Sequence, residues 1–263
     1  MPKRGHFSRS RCLEDFNKRF SKDSVQKIIR SAIRQSKDGT VRVLEIGCGE
    51  GRVLMELCRL FPSIELHGIN KAPWPAMKGR QSLRRTATYY NIFKKSELSK
   101  IILPKIQFYD ASELKFKDAY FDLIISQVAI PYVERKDRLL EECWRVLKRD
   151  GKALLHIDSL RPDNPDFLQT KIPRFVIYRK RKRVDLKSII SEKKRAGYSI
   201  RLKSVRREDG VEKYNIILKK NNSKPLRLGL EFDEVSSFNI YPLDKEHRYS
   251  DIFWGYRSVF RIK

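Results

Sequence analysis

Val43-Leu44-Glu45-Ile46-Gly47-Cys48-Gly49-Glu50-Gly51 is the stretch on which the reading of this chain turns. It opens as a short apolar strand over residues 41–46 and ends in glycines at alternate positions. Residues 53–61 then carry apolar side chains at helical spacing, Pro62 marks the end, and 64–69 form a second apolar strand. Strand, tight turn, helix and strand make a βαβ unit, with parallel strands and a right-handed crossover. Glycine has no Cβ, so such a turn can take positive φ and let a ligand approach the backbone closely. The helix that starts there offers unpaired N–H groups and a partial positive charge. In nucleotide-binding folds this feature holds a phosphate. The carboxylate of Glu45 just before the turn opposes a phosphate and suits a neutral or cationic ligand.

Working outward, residues 11–35 read as one or two helices, with Phe16, Phe20, Val25, Ile28, Ile29 and Ile33 recurring between charges. Residues 106–109 and 121–126 are a third and a fourth strand, the latter apolar as a buried parallel strand is. An amphipathic helix over 138–147 is closed by Lys148-Arg149-Asp150-Gly151, with the glycine as its stop, and 152–157 is a fifth strand. Beyond it, 160–173 holds three prolines and reads as a loop, 184–197 as a helix, and 221–263 as mixed β and loop. Residues 198–205 and 211–219 flank a glycine turn as an antiparallel hairpin. The fold class is α/β: a Rossmann-like, doubly wound, mostly parallel sheet with helices on both faces, plus a basic α+β C-terminal extension. Residues 1–40 form an N-terminal helical segment and 41–158 the ligand-binding core, with an insert at 71–105. Residues 159–263 are a basic region expected to complete the sheet and contribute to substrate binding.

The quoted stretch resembles motif I of the class I S-adenosylmethionine-dependent methyltransferases, whose ligand carries a sulfonium and an ammonium and no phosphate. Tyr109-Asp110-Ala111 resembles the family segment whose acid contacts the adenine amino group. Phe121-Asp122-Leu123-Ile124-Ile125-Ser126 resembles its fourth strand. Leu139 to Lys152, through Trp144-Arg145-Val146-Leu147, resembles its fifth-helix signature. The resemblance covers about residues 40–158 and implies a methyltransferase with S-adenosylmethionine as cofactor. It assigns the cofactor to Glu45, Gly47, Cys48, Gly49, Gly51, Asn70, Lys71, Asp110, Ala111, Ser126 and Gln127. One position departs from the family, which usually ends strand two in an acid that grips the ribose hydroxyls. Here Asn70 stands there, offering hydrogen bonds without the charge, and the backbone of Lys71 is a possible compensation. A nicotinamide-binding fold is the competing reading, but its G-x-G-x-x-G spacing fails at Arg52. A catalytically silent member that keeps the fold is a further alternative.

The catalytic residues are not legible, because methyl transfer gains much of its rate from placing the acceptor. Pro131-Tyr132 lies where amino-directed nucleic-acid methyltransferases carry an Asn/Asp-Pro-Pro-Tyr-like motif, but the spacing to Gln127 does not fit it. Tyr132 reads equally as a stacking platform or as packing. His67 and His156 sit on or beside strands, where histidine is more often structural than a base. His156 and Asp158, near the carboxyl edge of the sheet, are also candidates for acceptor deprotonation.

The 263 residues carry 58 Lys and Arg against 32 Asp and Glu, a net charge of +26. Residues 161–220 alone hold 19 basic and 7 acidic residues. Such a field attracts polyanions. With Arg80, Arg84, Tyr89 and Tyr90 mixing cations and rings in the insert, RNA is the favoured partner. The alternative is a small, acidic metabolite under a lid formed by 71–105. The bland reading of the charge is a solvated basic surface. Cys12, Cys48, Cys58 and Cys143 form no C-x-x-C pair, so no metal site or disulfide framework is expected. No apolar run reaches the roughly 18–20 residues of a membrane span, and no secretory signal is read at the start. A cytoplasmic protein without membrane contact is expected.

Overall fold

The computed structural model describes residues 12–20, 24–36, 39–71, 80–127, 129–130, 133, 135–157, 167–169, 175–184, 186–206, 212–234 and 240–242. Two helices come first, α1 (Leu13–Phe20) and α2 (Val25–Gln35). The βαβ unit follows as β1 (Arg42–Ile46), α3 (Arg52–Leu60) and β2 (Glu65–Asn70). Next are α4 (Arg80–Tyr89), β3 (Lys105–Phe108), β4 (Phe121–Gln127), α5 (Lys136–Val146) and β5 (Leu147–Ile157). The later elements are β6 (Phe167–Gln169), β7 (Phe175–Arg179), β8 (Lys182–Val184), α6 (Leu186–Arg195), β9 (Ser199–Arg206), β10 (Glu212–Lys219), β11 (Glu231–Glu234) and β12 (Ile240–Pro242).

Seven strands form one sheet in the order β3-β2-β1-β4-β5-β10-β9. The first five are parallel, and the β9–β10 hairpin closes the far edge antiparallel to β5. The order reverses between β1 and β4, which makes their carboxyl ends the switch point where open α/β sheets bind ligands. The expected doubly wound sheet is therefore present, with a separate core on each face. On one face Val43, Leu123, Ile125, Leu154 and Ile217 pack under α1, α2, α3 and α4. On the other, Leu44, Ile124, Leu155 and Ile216 pack under α5 and α6. Adjacent positions along each strand thus serve opposite faces, as the two-residue period of a strand requires. β7, β8 and β11 form a small antiparallel sheet of their own, and β6 pairs with β12.

Two sequence expectations are corrected. Gly151 is not the stop of α5, which already ends at Val146 with Leu147 in extended backbone. Instead the chain bulges before rejoining β4, so that Leu147 pairs with Phe121 and Lys152 with Leu123. A Cβ on Gly151 would stand 2.9–3.1 Å from the backbone oxygens of Lys148, Phe121 and Asp122. The glycine is required by that close approach. Nor do the described residues of the 71–105 stretch form a lid. Leu83, Ala87, Phe93 and Leu98 are buried in the helical core beside α3, so 80–105 is the crossover from β2 to β3.

At the amino end of the sheet, Glu65 gathers Arg42 (2.9 Å), Lys105 (2.6 Å) and His67 (3.1 Å). Burial alone would raise its pKa, but the hydrogen bonds from Lys105 and Arg42 outweigh that and lower it to about 2. A folded pKa below the ordinary 4.5 stabilises the fold fully above that pH, and the contribution is lost as pH falls toward 2. Denaturant titrations at stepped pH should find Glu65→Gln less stable than the parent at neutral pH. The gap between the two should close between about pH 4.5 and 2.

Candidate functional site

The glycine turn joins the carboxyl end of β1 to α3. Gly47, Gly49 and Gly51 all take positive φ, at 72°, 53° and 77°. They differ in what lies above them. A Cβ on Gly47 would meet Ala129 Cβ at 2.0 Å and one on Gly51 would meet Leu83 Cδ2 at 2.4 Å. These two glycines let the segment after β4 and helix α4 close against the turn. Over Gly49 no described residue stands within 4 Å of such a Cβ. That is the one of the three where a ligand has room to approach.

Glu45 lies beneath the turn, 5% exposed. A buried carboxylate close to the amino end of a helix makes a mixed site, in which N–H donors and one anion sit side by side. It repels phosphate and accepts an ammonium or sulfonium. The neighbouring Cys48 thiol is pushed well above its ordinary pKa by burial and then by Glu45, so it is an inert packing group.

Asn70, at the end of β2, is 6% exposed and grips the turn from the side. Its Oδ1 accepts the Gly49 N–H at 2.9 Å, and its Nδ2 donates to the Gly49 carbonyl at 3.1 Å. A carboxamide can meet the N–H and the carbonyl of one residue in this two-way fashion; a carboxylate cannot, because it has no donor. The departure from the family's usual acid therefore has a structural use here, as a brace on the loop. One N–H and one lone pair of the carboxamide face elsewhere.

The loop after β3 supplies the flank. The Tyr109 N–H bonds to the Asn70 carbonyl at 2.9 Å, which keeps 109–111 level with the end of β2. Asp110 accepts from the Ser112 N–H at 2.9 Å and lies 3.5 Å from Lys71 Nζ. Arg145 of α5 fixes the rest of the loop by donating to the carbonyls of Leu114 and Phe116, each at 2.8 Å. Ala111 is buried at the loop's start. Burial raises the Tyr109 phenol to about 12, so it stays protonated.

At the end of β4 the two expected residues part company. Ser126 pairs with Ile46 in the sheet, and its hydroxyl donates to the Ile46 carbonyl at 3.0 Å. It ties the two strand ends together on the face away from Glu45. Gln127, one residue on, shares the face of Glu45 by strand alternation and is 3% exposed. Among the described residues neither its Oε1 nor its Nε2 meets a hydrogen-bond partner. A buried orphaned carboxamide is costly unless a ligand completes it.

Three more positions complete the account. His67 is a core residue, packed edge-on against Phe116, Tyr120 and Phe121, with its pKa lowered by burial. Tyr90 carries the Arg52 guanidinium 4.1 Å over its ring, and Tyr89 stands edge-on to it and exposed. Arg84 is exposed on α4, and Arg80 begins that helix. Tyr132 and Asp158 lie outside the described residues. The residue that sequence reasoning passed over is Asn215 of β10. It is buried in the otherwise apolar run Ile216-Ile217-Leu218, and that lone polar residue was the available signal.

A doubly wound sheet with a buried acid under a glycine turn at its switch point is the framework of the site, and residues 44–155, a little under half of the chain, match the family model described as Methyltransferase domain. A sterol 4-C-methyltransferase of Caenorhabditis elegans is 27% identical over 126 residues, covering 48% of this chain and 33% of that protein. A malonyl-(acyl-carrier protein) O-methyltransferase of Geobacter sulfurreducens is 27% identical over 110 residues, 42% of this chain and 36% of that protein. The chain thus spans about a third of the length of these relatives. Among solved structures, the Haemonchus contortus phospholethanolamine N-methyltransferase 2 superposes with a TM-score of 0.43 at 14% identity, over 74% of this chain and 52% of that one.

Two substitutions separate the roles of the turn. Gly49→Arg projects a side chain into the open space and should abolish S-adenosylhomocysteine binding, measured by calorimetry. Asn70→Asp removes the donor to the Gly49 carbonyl and sets two oxygens against each other. It should weaken the same binding about tenfold, for a lost hydrogen bond of roughly 1–1.5 kcal/mol. Unchanged affinity in either variant would count against the turn as the cofactor cradle.

Proposed function

We propose that this chain transfers the methyl group of S-adenosylmethionine to an acceptor carried by RNA. The observation that carries the methyltransferase part is Glu45, buried beneath a turn whose Gly49 opens onto free space. An acid at that place fits a cationic ligand and rejects a phosphate. Glu45 would hold the ammonium end, the backbone of 47–51 the carboxylate and chain, and Asp110 the adenine. Bound there, S-adenosylmethionine supplies an electrophilic methyl on a good leaving group. What remains for the protein is to hold and orient the acceptor and exclude water.

The RNA part rests on charge. A net +26 gives counterion-release affinity for a polyanion. Arg84, Arg85, Lys94 and Lys95 are exposed along α4 and the segment after it, with the exposed Tyr89 ring among them, a mixture of cations and rings suited to phosphates and unpaired bases. A second reading takes a small-molecule acceptor. It is supported by relatives whose names specify a sterol and a malonyl-(acyl-carrier protein).

Tritiated S-adenosylmethionine added to a lysate with the protein separates the two. Label lost on ribonuclease treatment is the expected result; label surviving in a small-molecule fraction would replace RNA with a metabolite. Arg84→Ala with Arg85→Ala should weaken RNA binding and reduce the slope of log affinity against log salt by about 1–2. Cofactor affinity should stay unchanged.

A further inference from the structure

Three neighbouring strands place one polar residue each on the same face of the sheet. Gln127 of β4 pairs with His156 of β5, and His156 pairs with Asn215 of β10. All three are buried, at 3%, 3% and 2% exposure. The face is the one that carries Glu45, and Gln127 directly follows Ser126, the partner of Ile46 that precedes the glycine turn. The row therefore runs from the edge of the cofactor site toward β10, at the carboxyl ends of β4 and β5.

The hydrogen bonds in this row fix which ring nitrogen of His156 bears a hydrogen toward Asn215. Asn215 Nδ2 donates at 2.8 Å to the carbonyl of Arg19, in the last turn of α1. A carbonyl can only accept, so the amide nitrogen must point there and Oδ1 must point the other way. Oδ1 lies 2.6 Å from His156 Nδ1. An amide oxygen has no proton, so Nδ1 carries the hydrogen and the neutral ring keeps its lone pair on Nε2. The end of a helix thus dictates, through one asparagine, which nitrogen of His156 is basic.

We propose that His156 is the base for a hydroxyl acceptor, oriented by the carboxamide of Gln127. The inference rests on the methyltransferase reading above. A hydroxyl has one proton to give and lone pairs to accept with, which suits a ring nitrogen and an amide N–H presented together. A carboxylate acceptor has no proton to surrender and gives this pair nothing to do. In the step, a lone pair of the acceptor oxygen forms the bond to the methyl carbon as the carbon–sulfur bond breaks. The electron pair of that bond stays on sulfur, turning the sulfonium into a neutral thioether. The hydroxyl proton passes to His156 Nε2, and the imidazolium so formed, still donating from Nδ1 to Asn215, returns it to solvent.

The first test needs no acceptor. Nitrogen-15 NMR of the wild-type protein labelled at histidine, with S-adenosylhomocysteine bound, should show the Nδ1–H form of His156; an Nε2–H form would overturn the assignment. The second uses the tritium assay in lysate. His156→Gln should keep S-adenosylhomocysteine affinity within about threefold and lose about 10²-fold in methyl incorporation, the usual contribution of a positioned base. The labelled product should be an O-methyl ether, RNA-borne or small as the ribonuclease arm decides. Retention of incorporation within about threefold in the variant, or a product that is a methyl ester or N-methyl amine, would sink the proposal. If His156→Gln does not fold, the wild-type tautomer decides. Failure of the wild-type protein to bind S-adenosylhomocysteine would instead remove the methyltransferase reading itself.

Discussion

The two-way hydrogen bond between Asn70 and the peptide of Gly49 is the interaction on which the carboxyl edge of this sheet depends. A turn of three positive-φ glycines gains little stability from its own side chains and loses much backbone entropy on ordering. It needs an outside partner that grips both the N–H and the carbonyl of one residue, and so holds two consecutive peptide groups. Asn70 does so from the end of the neighbouring strand, so the position of the turn is tied to the register of β1 on β2, where Ile46 pairs with Ile69. The Tyr109 N–H then takes the Asn70 carbonyl, which extends the same reference point to β3. The glycine turn and the loop after β3 are thereby both indexed to one residue.

Helix α1 plays the corresponding part on the far side of the switch point. Its first residue donates its N–H to Glu56 of α3 at 2.6 Å, and its penultimate residue gives a carbonyl to Asn215 of β10. A helix of eight residues is too short to be stable alone. It is held by Leu13, Phe16 and Phe20 in the core and by these two side-chain caps. The caps come from elements at opposite ends of the sheet, so α1 lies across the face where the polar row is buried. The orphan carbonyl that every helix end must satisfy is here satisfied by a group that also sets a histidine tautomer.

Much of this architecture was legible in the sequence, and the failures have physical reasons. The central strands β1 and β4 announce themselves as apolar runs because both faces are covered, and the glycine turn is unmistakable because its backbone needs are. Helix α4 was not readable. In Arg80-Gln81-Ser82-Leu83-Arg84-Arg85-Thr86-Ala87-Thr88-Tyr89 the described buried residues are Leu83, Thr86 and Ala87, and two apolar positions four apart are too few to show a period. Gly151 was misread because glycine after a helix is so often a stop; here three backbone oxygens crowd it, a fact of the β4–β5 pairing that no local pattern contains. The residues around the glycine turn were readable as neighbours, but what each one touches was not. Ser126 and Gln127 are neighbours in sequence and face opposite sides of the sheet. Only the register shows that Gln127 shares the face of Glu45 while Ser126 ties β1 to β4.

The electrostatics of the molecule divide by distance. S-adenosylmethionine carries a net positive charge, and a protein of net charge +26 repels it from afar. At physiological salt that repulsion is screened beyond about 8 Å, so most of the surface excess is silent at the cofactor site. Glu45 acts inside that radius. Being buried, it works through a medium of low effective dielectric, where one close opposite charge outweighs many distant like ones. An extended polyanion is in the reverse position: it touches the surface over many Debye lengths and collects the contributions of many cations at once. One buried acid is therefore enough to let a cationic ligand settle in a strongly basic protein, because the surface charge that opposes its approach is screened where the acid acts.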